Sequence, residues 1–352
     1  MSANEMQDDP IRGTSRGHSP VPLSVLDLST VGVEDSASEV LRGTTELARG
    51  VERWGYHRMW LAEHHGMPGI ASSSPSVVLA HLAAHTRTLR LGSGGVMLPN
   101  HAPLVVAEQF GTLQALHPGR IDLGIGRAPG TDQATARALR RTEGPASADD
   151  FPQQLGELLA FLSDDFPIEH PYADVQAVPR GDPPPVWLLG SSGFSAQVAG
   201  GLGLPFAFAH HFSAQNTEPA LELYRESFRP SGVLDEPYAM IGVQAVAADS
   251  EQEALDVVRP IALSMLKLRQ GLPGKQPTRQ QAREYPYTEL DRAFVDDWLA
   301  EAVHGTPERV RAELDELRTR TGAQELMLTA NVPDAETKLH SFELIAKAHG
   351  MI

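Results

Sequence analysis

The feature that most limits the fold is an alternation repeated along the chain. Short apolar or β-branched runs are each followed by a helix-period pattern. Residues 23–30 (LSVLDLST), 58–63 (RMWLAE), 88–98 (TLRLGSGGVML) and 120–126 (RIDLGIG) are the first four runs. Residues 185–190 (PVWLLG), 205–209 (PFAFA), 238–247 (YAMIGVQAVA) and 325–328 (ELML) complete a set of eight. Lack of strict polar alternation suits parallel strands buried on both faces. The segments between them carry helix signatures. Ser36 and Glu39 have capping-box spacing, with Val40, Thr44, Leu47 and Val51 following on one face. Thr306-Pro307-Glu308 supplies an N-cap, a proline at the first helical position and an acid in the first turn. Val310, Leu314 and Leu317 then face inward, and Gly322 closes that helix. Eight βα units predict an α/β chain folded as a (β/α)8 TIM barrel. A doubly wound open sheet is the alternative, but the first βα turn (STVGVED) lacks the G-x-G-x-x-G fingerprint.

The 352 residues leave room for more than a minimal barrel. Residues 1–20 are polar and broken by prolines, and read as a disordered N-terminal tail before a single barrel domain over 21–352. They lack the apolar middle of a signal peptide. Two insertions stand out, after the fourth and seventh strands. The first, 128–184, reads as largely helical and then proline-rich. The second, 269–293, is polar without clear periodicity and is the candidate lid loop.

Composition excludes several functions. A formal charge of −16 repels phosphate backbones and anionic lipid, so neither nucleic acid nor membrane is an expected partner. The chain has 0 cysteines, which removes disulfides, thiolate metal sites and thiol nucleophiles. No apolar run reaches 18 residues, and a cytoplasmic location is expected. No metal site is expected either. His81 and His85 share helical i, i+4 spacing, but no glutamate follows the first, and that helix lies outside the barrel.

In such barrels chemistry gathers where strands end at the C-terminal mouth. The strand ends here are Glu63-His64-His65, Ser93-Gly94-Gly95, Arg127, Gly190-Ser191-Ser192-Gly193, His210-His211 and Asn331. A histidine at this place can move a proton near neutral pH or serve as a hydrogen-bonded strut. Glycines in a strand mark a close backbone approach or a bulge. Arg127 in so acidic a chain suits a phosphate or a surface ion pair. Ser191 and Ser192 precede a helix, whose free N–H groups suit the same anion.

Three segments, Trp60–Gln133, Pro185–Phe212 and His340–Leu344, resemble the bacterial luciferase family of flavin-dependent monooxygenases. The resemblance points in particular to the single-gene luciferase-like branch, which includes members that tailor aromatic polyketides in actinomycetes. It implies a two-component enzyme. A separate NAD(P)H:flavin reductase would supply reduced FMN, and O2 would oxygenate a small organic substrate through a C4a-peroxyflavin, with secondary metabolism as the expected setting. His64 and His65 are then the candidate catalytic residues. Gly94–Gly95 matches a non-proline cis peptide against the isoalloxazine, flanked by Glu63 and Ser93 as further flavin contacts. Arg127 and Ser191 match phosphate contacts, with Gly190, Ser192 and Gly193 beside them. The reactive cysteine of luciferase falls at Gly126 here, so light emission is not implied. Relatives of this fold also include F420-dependent oxidoreductases, and a non-catalytic flavin-binding protein is a third reading. The resemblance further implies a homodimer through the second and third barrel helices.

Overall fold

The computed structural model describes residues 11–13, 16–128, 130–140 and 150–352. Its strands are β1 (Leu23–Asp27), β2 (Arg58–Leu61), β3 (Arg90–Ser93), β4 (Val96–Met97), β5 (Ile121–Gly126), β6 (Val186–Gly190), β7 (Phe206–Phe208), β8 (Ala239–Ala247), β9 (Val303–Gly305) and β10 (Glu325–Thr329). Eight of them run in the order β10-β1-β2-β3-β5-β6-β7-β8, and pairing of β8 with β10 closes the ring. Every pairing within it is parallel. This is the (β/α)8 barrel that the repeated pattern predicts. The short β4 continues the third strand against β5, and β9 adds to the end of β8.

Helices α1 (Ala37–Arg53), α2 (Pro75–His85) and α3 (Pro103–Leu116) follow the first three barrel strands, and α4 (Gln133–Arg140) and α5 (Phe151–Ser163) follow β5. After β6 and β7 come α6 (Gly193–Leu202) and α7 (Thr217–Ser227), and after β8 come α8 (Glu251–Arg269), α9 (Arg279–Glu284) and α10 (Glu289–Glu301). The chain finishes with α11 (Pro307–Thr321) and α12 (Ala335–Ala348) on either side of β10. At α1 the capping box forms: the Ser36 hydroxyl accepts from the Glu39 N–H, and Glu39 accepts from the Ser36 N–H at 3.0 Å. At α11 Thr306 sits at the cap, yet its hydroxyl bonds no helix N–H; the Glu251 carboxylate accepts its backbone N–H at 3.2 Å instead.

Two expectations need correction. The 1–20 tail is not free of structure throughout, because Ile11 is buried at the strand-N-terminal end of the barrel. Its carbonyl accepts from the fully buried Arg58 guanidinium at 2.6 Å. Residues 1–10, 14 and 15 of that tail lie outside the described residues. The 269–293 segment is not a structureless loop, since it holds α9 and the start of α10. Thr278 with Gln281, and Thr288 with Asp291, form two further capping boxes. A satellite core of Leu263, Leu266 and Ala282, packed by Tyr285, Tyr287, Phe294 and Val295, anchors both helices.

The barrel interior at that same end holds a balanced charge cluster. Arg58 donates to Asp122 at 2.8 Å and to Glu325 at 2.9 Å, and Arg90 pairs with the other Asp122 oxygen. Trp60 donates to Asp122 at 3.0 Å, and Tyr238 to Glu325 at 3.0 Å. Two cations facing two carboxylates leave no net buried charge, the condition on which such a cluster is tolerable.

Candidate active site at the barrel mouth

At the opposite end a cavity of about 590 Å3 opens among the strand C-termini. A larger hollow, about 1270 Å3, lies at the strand N-termini beside Arg90, Arg120 and Arg180. The smaller one lies where this fold builds its chemistry, among the loops that follow the strands. Arg90 and Arg180 in the larger hollow are already paired with Asp122 and Asp164.

The mouth brings together His64, Gly94, Gly95, Arg127, Gly190, Ser191 and Ser192, all of which line the cavity. Four other candidates stand behind its wall. Ser93 is fully buried and joins β3 to β5 by donating to the Gly124 carbonyl and accepting the Gly124 N–H. Gly193 begins α6. Glu63 and His65 pair with each other at 2.9 Å outside the lining. Asp27, also at a strand end, accepts from Lys338 at 2.8 Å and from Thr44 at 2.7 Å. Burial opposes its ionisation, but the ammonium and hydroxyl hold its carboxyl below the usual range.

His64 enters the cavity from the end of β2, and its Nδ1 is buried without a partner among the described residues. Burial pushes its pKa down, against the pull of Glu63, so the imidazole is held neutral near pH 7. His211, after β7, also lines the cavity. Its Nδ1 bonds the Gly242 carbonyl at 3.0 Å, and burial lowers its pKa too. Behind His64, Glu63 binds a second imidazole that the sequence pattern does not flag: His101, at 2.7 Å. Burial raises the Glu63 pKa, but the His101 and His65 bonds more than offset this and hold it low.

The wall at β3 is backbone. The Gly94–Gly95 peptide is cis, and a Cβ on Gly95 would sit 2.9 Å from the Gly124 carbonyl oxygen. At Gly126 a Cβ would lie 2.9 Å from the Met97 sulfur, so Met97 fills the space a thiol would need. Arg127 lies with its guanidinium carbon 4.3 Å from the Phe194 ring centroid, which holds it beside the N-terminus of α6. No carboxylate pairs with it among the described residues, and Ser192, the N-cap of α6, caps no N–H with its side chain. A cation and free helix N–H groups thus face one point, which fits a phosphate. Pro273, Gly274 and Gln276, from the stretch between α8 and α9, cover part of the mouth. Backbone bonds tie that stretch to the loop after β1: Gln276 donates to Val31 at 2.9 Å and accepts from Val33 at 3.0 Å.

The profile of the luciferase-like monooxygenases matches residues 21–325. The chain belongs to the luciferase-like monooxygenase family. It is an enzyme of the monooxygenase class. A luciferase-like monooxygenase of Escherichia coli (strain K12) is 46% identical over 92% of this chain and 96% of its own length. The N-acetyl-S-alkylcysteine monooxygenase of Bacillus subtilis (strain 168) is 37% identical over 93% of this chain and 98% of its own. Among solved structures, apo-MsnO8 superposes with a TM-score of 0.83 at 36% identity, covering 94% of this chain and 99% of that one. Among the described residues no helix is long and apolar enough to cross a membrane.

Proposed function

We propose that this chain is a two-component, FMN-dependent monooxygenase that oxygenates a small organic molecule in the barrel mouth. The observation that carries the reading is the pairing of a phosphate cradle with a neutral histidine across one apolar cavity. Arg127 and the Ser191–Ser192 turn would hold the phosphate, and the Gly94–Gly95 wall would lie against the flat ring. Reduced flavin supplies the oxygen-activating chemistry when bound. The resemblance to two-component flavin monooxygenases assigns reduction to a separate NAD(P)H:flavin reductase. His64, neutral and unpartnered at Nδ1, is placed to take or return a proton at the reacting centre. Pro273, Gly274 and the α8 side chains Met265 and Leu268 limit the entry of water. The exposed Val77 on α2 and Val105 on α3 suit the paired helices of a homodimer, which sedimentation would read.

The test couples the protein to a flavin reductase with NADH, FMN and 18O2, against a panel of thioethers and ketones. Product carrying one 18O is the expected result. His64→Ala should leave FMN affinity within about twofold, while O2 consumption diverts to H2O2. Unchanged product yield would remove His64 from the mechanism. Turnover with reduced F420 and not with reduced FMN would replace the whole reading.

A further inference from the structure

The wall of the mouth built by β8, β10 and β1 carries a side-chain relay among mostly apolar neighbours. β5 and β6, which end at Arg127 and Ser191, lie four strands around the ring from β10 and β1. The wall formed by β10, β1 and the adjoining β8, which stands two strands from β6, is lined by Leu26, Leu28, Met240 and Met327, with Ile261 and Met265 of α8 beside them. Gln244 lies among them on β8, opposite Thr329 in register, and is only 3% exposed. Three side chains form a chain of bonds in one direction. The Thr329 hydroxyl donates to Asn331 Oδ1 at 3.1 Å. Asn331 Nδ2 then donates to Gln244 Oε1 at 3.3 Å. The Gln244 Nε2 that ends this relay is buried and has no acceptor among the described residues.

A buried amide N–H2 left unpaired is costly to the fold, so Gln244 holds a donor ready for something that enters the cavity. We infer that Gln244 is the substrate-orienting residue, and that the substrate is a largely apolar molecule bearing a hydrogen-bond acceptor such as a carbonyl. The relay fixes which end of the amide faces inward, because Asn331 occupies the carbonyl end. The surrounding methionines and aliphatic side chains take the apolar body. The inference rests on the proposed flavin site, since it assigns the β8–β10–β1 wall to the second reactant.

Calorimetry decides it with two six-membered probes, cyclohexanone and the thioether thiane, each titrated with and without FMN. A thioether sulfur accepts only weakly, so the wild type should bind the ketone about tenfold more tightly. Gln244→Met keeps the volume and removes the donor; the ketone preference should vanish while thiane affinity stays the same. Asn331→Asp provides an independent variant. A carboxylate only accepts, so it would turn the Gln244 amide around, and cyclohexanol should replace cyclohexanone as the preferred probe. A wild type without ketone preference, or a preference surviving in Gln244→Met, overturns the inference. So does a parallel loss of FMN affinity in Gln244→Met, which would assign the amide to the flavin. A wild type that binds no FMN instead defeats the proposed function, and titration of the flavin-free protein still reads the amide.

Discussion

Arg127→Ala isolates the proposed phosphate cradle. The guanidinium has no carboxylate partner among the described residues and is held by stacking on Phe194 at 4.3 Å, so its removal breaks no ion pair of the fold. A hydrogen bond to a charged group contributes about 1.5–3 kcal/mol, which corresponds to about a 10- to 150-fold rise in Kd. Arg127 is only half-buried, and solvent screening places the expected loss toward the lower end of that range. The α6 N-terminus remains in the variant and keeps part of the phosphate affinity. Riboflavin carries the same ring without the phosphate, so its Kd should change by less than about twofold. Fluorescence titration of both flavins at low and high salt measures this directly, and the FMN difference should shrink as salt rises. Arg127→Lys should recover part of the loss, because it keeps the charge but not the planar fork. Equal loss for FMN and riboflavin would show that Arg127 merely holds the loop against Phe194. Unchanged FMN affinity would place the phosphate elsewhere.

Two stability predictions follow from buried groups outside the lining of the mouth cavity. Arg58→Met leaves Asp122 and Glu325 facing Arg90 alone at full burial. The cost of breaking such a cluster is about 3–5 kcal/mol, or about 4–7 °C in Tm for a chain of 352 residues. Adding Glu325→Gln should restore part of it, and a Tm within about 1 °C of wild type for Arg58→Met would refute the account. His57 and His210 are both pushed down to about 4 from the ordinary 6.5, chiefly by burial. The unfolded chain takes up these protons first, so stability should fall as pH drops from 6.5 toward 4. Tm measured across that range should slope less in His210→Asn; an unchanged slope would show that His210 does not titrate as its burial implies.

The barrel itself is legible in the chain because each strand is buried on both faces and each helix on one. Those burial patterns leave apolar runs and 3.6-residue periods that need no knowledge of partners. Strand limits are less legible. The 88–98 run is two short strands around Gly94–Gly95, since β3 pairs the lower part of β5 and β4 its upper part. The helices of 269–293 were legible too, through T-x-x-Q at Thr278 and T-x-x-D at Thr288. Their weak apolar periodicity hides them, because α9 and the start of α10 rest on a small satellite core, while α10 meets the main core further along, at Trp298 and Leu299.

Local sequence therefore determines the eight-unit barrel and places glycine, serine, arginine and histidine at its mouth, since strand ends can be counted along the chain. It cannot determine which side chains meet across the ring. Glu63 binds His101 from 38 positions away, Gln244 meets Asn331 from 87, and Arg58 meets Glu325 from 267. Adjacent strands in the ring bring the first pair together, and ring closure the other two: β8 pairs with β10 and β10 with β1, in one register. A one-residue slip in that register would turn each of these side chains to the other face of the sheet. The mouth is thus written in local pattern, while its polar relay and its supporting charges exist only once the barrel closes.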